Sequence, residues 1–200
     1  RVMAIALHFV DQQDMAVEMA QRAVGQLTDD APGRVRFEVR LSEALLVRRH
    51  GHYERAATLF DRLLSSDQDV LPDALARALL NAASCWWQVD RHAESLSALD
   101  RASDLLEHEA LDALRGWDDA IRSWVLFDRG DVEAGQAAVD RVLARDRPPD
   151  VESSVLRACL EVGISTEVVR ARTWGLVTTV RAQGHLAVAS ELIEALILDA

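Results

Sequence analysis

The chain has 200 residues, half of them hydrophobic but only 5% aromatic, with 9 glycines and 4 prolines, too few breakers for the hairpins of a strand-rich fold. Its 33 acidic residues against 22 basic ones, all arginine, leave a formal net charge of -11, which repels phosphate backbones and argues against direct nucleic-acid binding. The absence of lysine excludes a glycine-rich phosphate loop closed by lysine, and two cysteines (Cys85, Cys159) and six scattered histidines form no metal set or disulfide framework.

In chain order the sequence reads as helix pairs. The first is marked by Ala4, a turn at Asp11 and a small residue at Ala16, followed by Ala20 and Ala23 on one helical face. After the polar connector Thr28 to Gly33, the second has Ala44, a turn at Gly51, small Ala56, then Phe60 and Leu63. Ser65 to Asp69 separate it from the third, which begins near Pro72 and carries Ala83, Asp90, Ser95, Leu99 and Ala102. The fourth repeats the series as Ser123, Gly130, Gly135, Val139 and Val142. A break at Arg147 to Asp150 precedes a stripe of Val155, Leu156, Cys159, Leu160 and Val162, read as one inserted helix. The fifth pair has Val177, Gly184, Ala189, Ile193 and Leu196.

The small positions of the second helices recur at intervals of about 40 residues, except for the last interval, which is longer by about fourteen. A small residue at that register lets one helix backbone approach another, and the apolar residues four and seven places on face the same core. The expected fold is therefore all-α, a right-handed α-α superhelix of about five hairpins. Residues 1–147 would form four helix pairs and 148–200 the inserted helix and the fifth pair, in one continuous domain. The start at Arg1 and the apolar last helix (Leu192, Ile193, Leu196, Ile197, Leu198) lead us to expect a piece of a longer protein, or a homodimer through the C-terminal helix.

The segments Gly51-His52-Tyr53-Glu54-Arg55-Ala56 and Gly130-Asp131-Val132-Glu133-Ala134-Gly135 resemble the turn of the tetratricopeptide (TPR) repeat. Here the period is longer than that family's, Glu43 and Arg122 occupy a position usually held by leucine, and most units lack the closing proline. With its long period, arginine-only basic content and acidic helices, the chain is similar to the sensor region of large ATP-binding LuxR-type bacterial transcription regulators. That resemblance implies a cytoplasmic, non-catalytic module that binds a protein, a peptide or a small-molecule inducer in a concave groove, without a cofactor. The alternative is a structural adaptor that self-associates through its terminal helices.

All five tryptophans fall on the first helices of their pairs. Trp86 has a core register and Trp87 is rotated from it by about 100 degrees. On this reading Phe9, Arg48, Arg49, Trp87, Trp124, Trp174 and Arg181 face the groove, where aromatic faces and guanidinium forks would hold a ligand. The competing reading is that these tryptophans fill gaps between repeats. The cluster Arg48-Arg49-His50-Gly51-His52 reads as a solvated turn or an arginine groove edge, and acid pairs such as Asp118-Asp119 as solvated helix faces. No residue set has the spacing of a catalytic or metal site. No apolar run is long enough to span a membrane.

Overall fold

A computed structural model describes residues 13–28, 30–66, 70–108, 112–144 and 167–184, together with 152, 153, 156, 160, 189, 190, 192, 193, 196 and 197. Ala4, Phe9, Asp11, Val155, Cys159, Val162 and Leu198 lie outside them. Among the described residues there are eight helices and no strand. They are α1 (Gln13–Gly25), α2 (Gly33–Arg49), α3 (Tyr53–Leu64), α4 (Pro72–Gln88), α5 (His92–His108), α6 (Asp112–Asp128), α7 (Val132–Leu143) and α8 (Glu167–Ala182). The chain divides into two compact units, Arg1–Ala110 with α1 to α5 and Leu111–Ala200 with α6 to α8. The protein is thus all-α and built of helical hairpins.

In the first unit α2 pairs with α3 and α4 with α5, while α1 packs on α2, α3 on α4, and α2 touches α4. In the second unit α6 pairs with α7. The turns that close these hairpins share one geometry. Gly51, Asp90, Gly130 and Gly184, the four expected turn residues within the described part, all adopt positive φ, between 60° and 81°. At three of them the turn residue donates to the carbonyl three places back and its successor to the carbonyl five places back: Gly51 to Arg48 and His52 to Val47, Asp90 to Trp87 and Arg91 to Trp86, Gly130 to Phe127 and Asp131 to Leu126. Such paired bonds satisfy helix-end carbonyls that would otherwise lack donors. The next helix then starts at once; at α7 the Asp131 carboxylate accepts from the Ala134 amide. Pro72 occupies the first turn of α4, and Ser65 and Ser66 donate to carbonyls in the last turn of α3.

The recurring small positions lie inside the helix pairs. Ala16, Ala56 and Ser95 are completely buried, Gly135 and Ala189 nearly so, and their first-helix counterparts Ala44, Ala83, Ser123 and Val177 are buried as well. At the α4–α5 crossing the Ser95 hydroxyl donates to the Ala83 carbonyl at 2.8 Å, joining the two register positions directly. At the α6–α7 crossing a Cβ on Gly135 would lie 2.5 Å from the Phe127 ring, so Phe127 occupies the space that the missing side chain leaves. Small residues set the distance and large ones fill what remains. Phe60, Leu63, Leu99, Val139 and Val142 are at most 1% exposed, and full burial of such a side chain stabilises by about 1.5–3 kcal/mol.

In the second unit Leu156 and Leu160 join Val142, Val169, Val177 and Val180 in one core, which also takes in Leu192 and Leu196. The two described residues of the inserted apolar stripe are therefore packing residues. Two leucines of the last apolar segment are covered by their own unit, and Ile197 is left 68% exposed.

Asp90 is the one non-glycine among the described residues with positive φ, a conformation in which a Cβ crowds the backbone. Asp90→Gly should stabilise the chain by about 0.5 kcal/mol, and Gly51→Ala should destabilise it by about 1 kcal/mol. Urea midpoints of both variants check this; a lower midpoint for Asp90→Gly would mean that the carboxylate contributes more than the backbone strain removes.

Candidate partner-binding surface

Of the residues read from sequence as groove-facing, Arg48, Arg49 and Trp87 belong to the first unit and Trp124, Trp174 and Arg181 to the second. Arg48 and Arg49 end α2; Arg49 is exposed and Arg48 is partly buried. Trp87 on α4 and Trp124 on α6 are partly buried. Trp174 on α8 is 53% exposed, and Thr178 and Arg181, four and seven places on along the same face, are exposed too.

Arg48 reaches from α2 to α4. Its two terminal nitrogens donate to Asn81 Oδ1 at 3.1 Å and Ser84 Oγ at 3.0 Å, while its Nε is buried without an acceptor. Burial lowers the pKa of the guanidinium from its ordinary value. Ser84 and Trp87 are three residues apart on α4, so Trp87 continues the side of the helix on which Arg48 is held. Cys85 beside them is buried, and burial pushes its thiol up to about 12, which leaves it unreactive at neutral pH.

Trp86 faces the other way, as its register required, and is 7% exposed. Its indole N–H donates to Asp61 Oδ1 at 3.1 Å; Arg91 holds the same carboxylate with both terminal nitrogens, at 2.8 and 3.2 Å, and lies 5.3 Å from the centre of the Trp86 ring. This set joins α3 to the α4–α5 turn and was not apparent in the sequence, where Asp61 and Arg91 stand thirty residues apart with nothing to pair them. Beside it an open cleft of about 640 Å³ lies between consecutive turns, lined in part by His52, Tyr53, Arg55, Gln88 and Asp90. His50 stacks on His52 with ring centres 6.2 Å apart, so the basic turn is only partly solvated. Among the described residues no group of three or more His, Cys, Asp or Glu side chains is placed to hold a metal ion.

The reading of Asp118 and Asp119 as a solvated pair needs correction. Both are 7% exposed, and each is held by an arginine: Asp118 by Arg122 one turn along α6 at 3.4 Å, Asp119 by Arg141 of α7 at 2.9 Å. Pairing offsets the loss of hydration, and it also gives Arg122, at a position where leucine was expected, a polar partner inside the helix pair. Glu43 occupies the corresponding position of α2 and is 9% exposed. Desolvation raises its pKa, with Arg55, Arg40 and Arg62 acting in the opposite direction.

The arrangement matches known folds. No protein-family model matches the sequence, and no curated protein does. The chain has the fold of a TPR-like helical repeat. Among solved structures it is similar to a single-substitution variant of a Podosopora anserina candidate kinesin light chain with nearly identical TPR-like repeats, at 16% identity and a TM-score of 0.64 over 90% of each chain. The unsubstituted form of that protein matches at 16% identity and a TM-score of 0.60, over 98% of this chain and 91% of the other. At this identity the likeness is one of fold. No helix among the described residues is long and apolar enough to cross a membrane.

Because the pKa of Glu43 is higher in the folded chain, the folded state binds the extra proton just above pH 4.5, and the stability contributed by neutral Glu43 is lost as pH rises through its folded value. Glu43→Gln should therefore stabilise the chain near pH 7 and have little effect below pH 4.5. Urea unfolding of both chains across that range checks the sign; equal midpoints at pH 7 would show that the three arginines fully offset the burial.

Proposed function

We propose that the chain is a non-catalytic module that binds a protein or peptide partner on its first helices. The observation that carries this reading is the outer face of α8. A tryptophan more than half exposed, followed at helical spacing by an exposed threonine and an arginine, is poorly explained by packing within the chain. Tryptophan and arginine together are the side chains most often found at the centres of protein interfaces. Trp87 and Arg48 offer the same pair of residue types in the first unit.

In the finer form of the proposal the module is the sensor part of a bacterial transcription regulator of the LuxR type. Partner or inducer binding would then bias a nucleotide-binding or DNA-binding neighbour through its differential affinity for two states of the repeat. Support for this comes from the long period and the arginine-only composition. Self-association is the second reading, favoured by the 68% exposure of Ile197.

Selection of random displayed peptides on the full chain tests the first reading. Enriched peptides should lose at least about tenfold in affinity with Trp174→Ala or Trp87→Ala, at unchanged melting temperature, since truncating an interface tryptophan commonly costs that much. Failure to enrich any peptide, or enrichment that neither substitution affects, counts against it. Sedimentation of the same preparation separates the second reading: a monomer at high concentration removes it.

A further inference from the structure

Glycine in the middle of a helix is unfavourable, because it gives up more backbone freedom on folding than any other residue, and its presence calls for a reason. At Gly135 the reason lies inside the fold, where the Phe127 ring fills the space that a Cβ would take. At Gly175, in the middle of α8, no described atom comes within 4 Å of such a Cβ, and the residue is exposed. Trp174 beside it is 53% exposed. Register does not force that exposure. Trp174 stands fifteen places before Ala189, the small residue of its pair, and the residues fifteen places before Ala56, Ser95 and Gly135 are Leu41, Leu80 and Ala120, each at most 3% exposed. The surface around Gly175 is also apolar in effect. Ala171 lies one turn before it and Thr178 and Thr179 one turn after, all exposed. Both threonine hydroxyls donate to carbonyls of α8 itself, Thr178 to Trp174 at 3.0 Å and Thr179 to Gly175 at 3.1 Å, so they demand no polar partner from outside.

We infer that this face of α8 pairs with the same face of a second copy of the chain, the two helices crossing antiparallel at Gly175 with each Trp174 seated over the other's glycine. This rests on the partner-binding reading of α8 above and names the partner. Shape and charge both select a second copy. Within the chain the glycine of a crossing is matched by an aromatic ring, as Gly135 is by Phe127; on α8 the glycine and the ring are adjacent on one exposed surface, so a twofold pairing fills both glycines and covers both rings at once. The exposed charge on this face is Arg181, six residues beyond Gly175, or about 9 Å along the helix at 1.5 Å per residue. An antiparallel crossing sends the two Arg181 side chains to opposite ends, about 18 Å apart and thus well screened, so the pairing brings no like charges together.

Sedimentation velocity of the full chain from low to high micromolar concentration tests this. Wild type should form a dimer, and Gly175→Leu and Trp174→Ala should each weaken it at least about tenfold, the first by blocking the crossing and the second by removing the ring. In dilute solution Gly175→Leu should melt no lower than wild type, because its side chain enters open space on a helix where leucine is the better helix former. Ile197→Ser, which removes a different exposed apolar side chain of the same unit, should leave the dimer intact. A dimer that both α8 variants leave intact, or one that only Ile197→Ser dissociates, would overturn the inference. So would a Gly175→Leu chain that fails to fold or melts several degrees lower in dilute solution, since the space at Gly175 would then be needed within the fold. A monomeric wild type whose selected peptides depend on Trp174 would remove the second copy and leave the peptide-binding reading standing, whereas a monomer that enriches no peptide would remove both.

Discussion

Each hairpin depends on two helix backbones coming close at one point where neither carries a bulky side chain. Ala44 and Ala56, Ala83 and Ser95, and Ser123 and Gly135 hold the paired small positions of three hairpins; all six residues are buried, and Ser95 is hydrogen-bonded to Ala83 directly. Close approach brings the flanking large residues into contact, so the energy of burying Phe60, Leu99 or Val139 becomes available only once the crossing is made. The turns follow from the same constraint. A helix that must reverse within two or three residues needs a left-handed residue at its end, and Gly51, Asp90, Gly130 and Gly184 provide it.

The crossings also divide the first helices into an inner side that packs and another side that is free to carry other chemistry. On α4 the division falls between adjacent tryptophans: Trp86 is bound into the Asp61–Arg91 set, while Trp87 shares the side of Ser84 and thus of Arg48. On α8 it falls between Val177, which packs, and Trp174 and Arg181, which do not. The residues with functional promise are therefore those the crossing register does not use.

Much of the scaffold was legible because backbone sterics leave few choices at a crossing or a tight turn. A small residue recurring about every 40 positions and a glycine or aspartate five places before it can be read from spacing alone. The polar contacts were not legible in this way. Nothing in the order of residues joins Arg48 to Asn81 and Ser84 or Asp61 to Trp86 and Arg91, which meet only when hairpins stack, or Asp119 to Arg141, which meet only when α7 folds back on α6. Acid pairs on a helix normally face water, and Asp118 and Asp119 depart from that because arginines accompany them into the helix pair.

If close approach at the small positions governs the fold, enlarging one of them must be far more damaging than the same change on an exposed helix surface. Urea unfolding of Ala83→Leu and Ala93→Leu compares a completely buried crossing residue on α4 with an exposed alanine on α5. Ala83→Leu should lose about 2–3 kcal/mol or more of stability, because a leucine there forces the helices apart, whereas Ala93→Leu should change it by less than about 0.5 kcal/mol. Equal midpoints for the two variants would contradict the claim that the crossings set the structure.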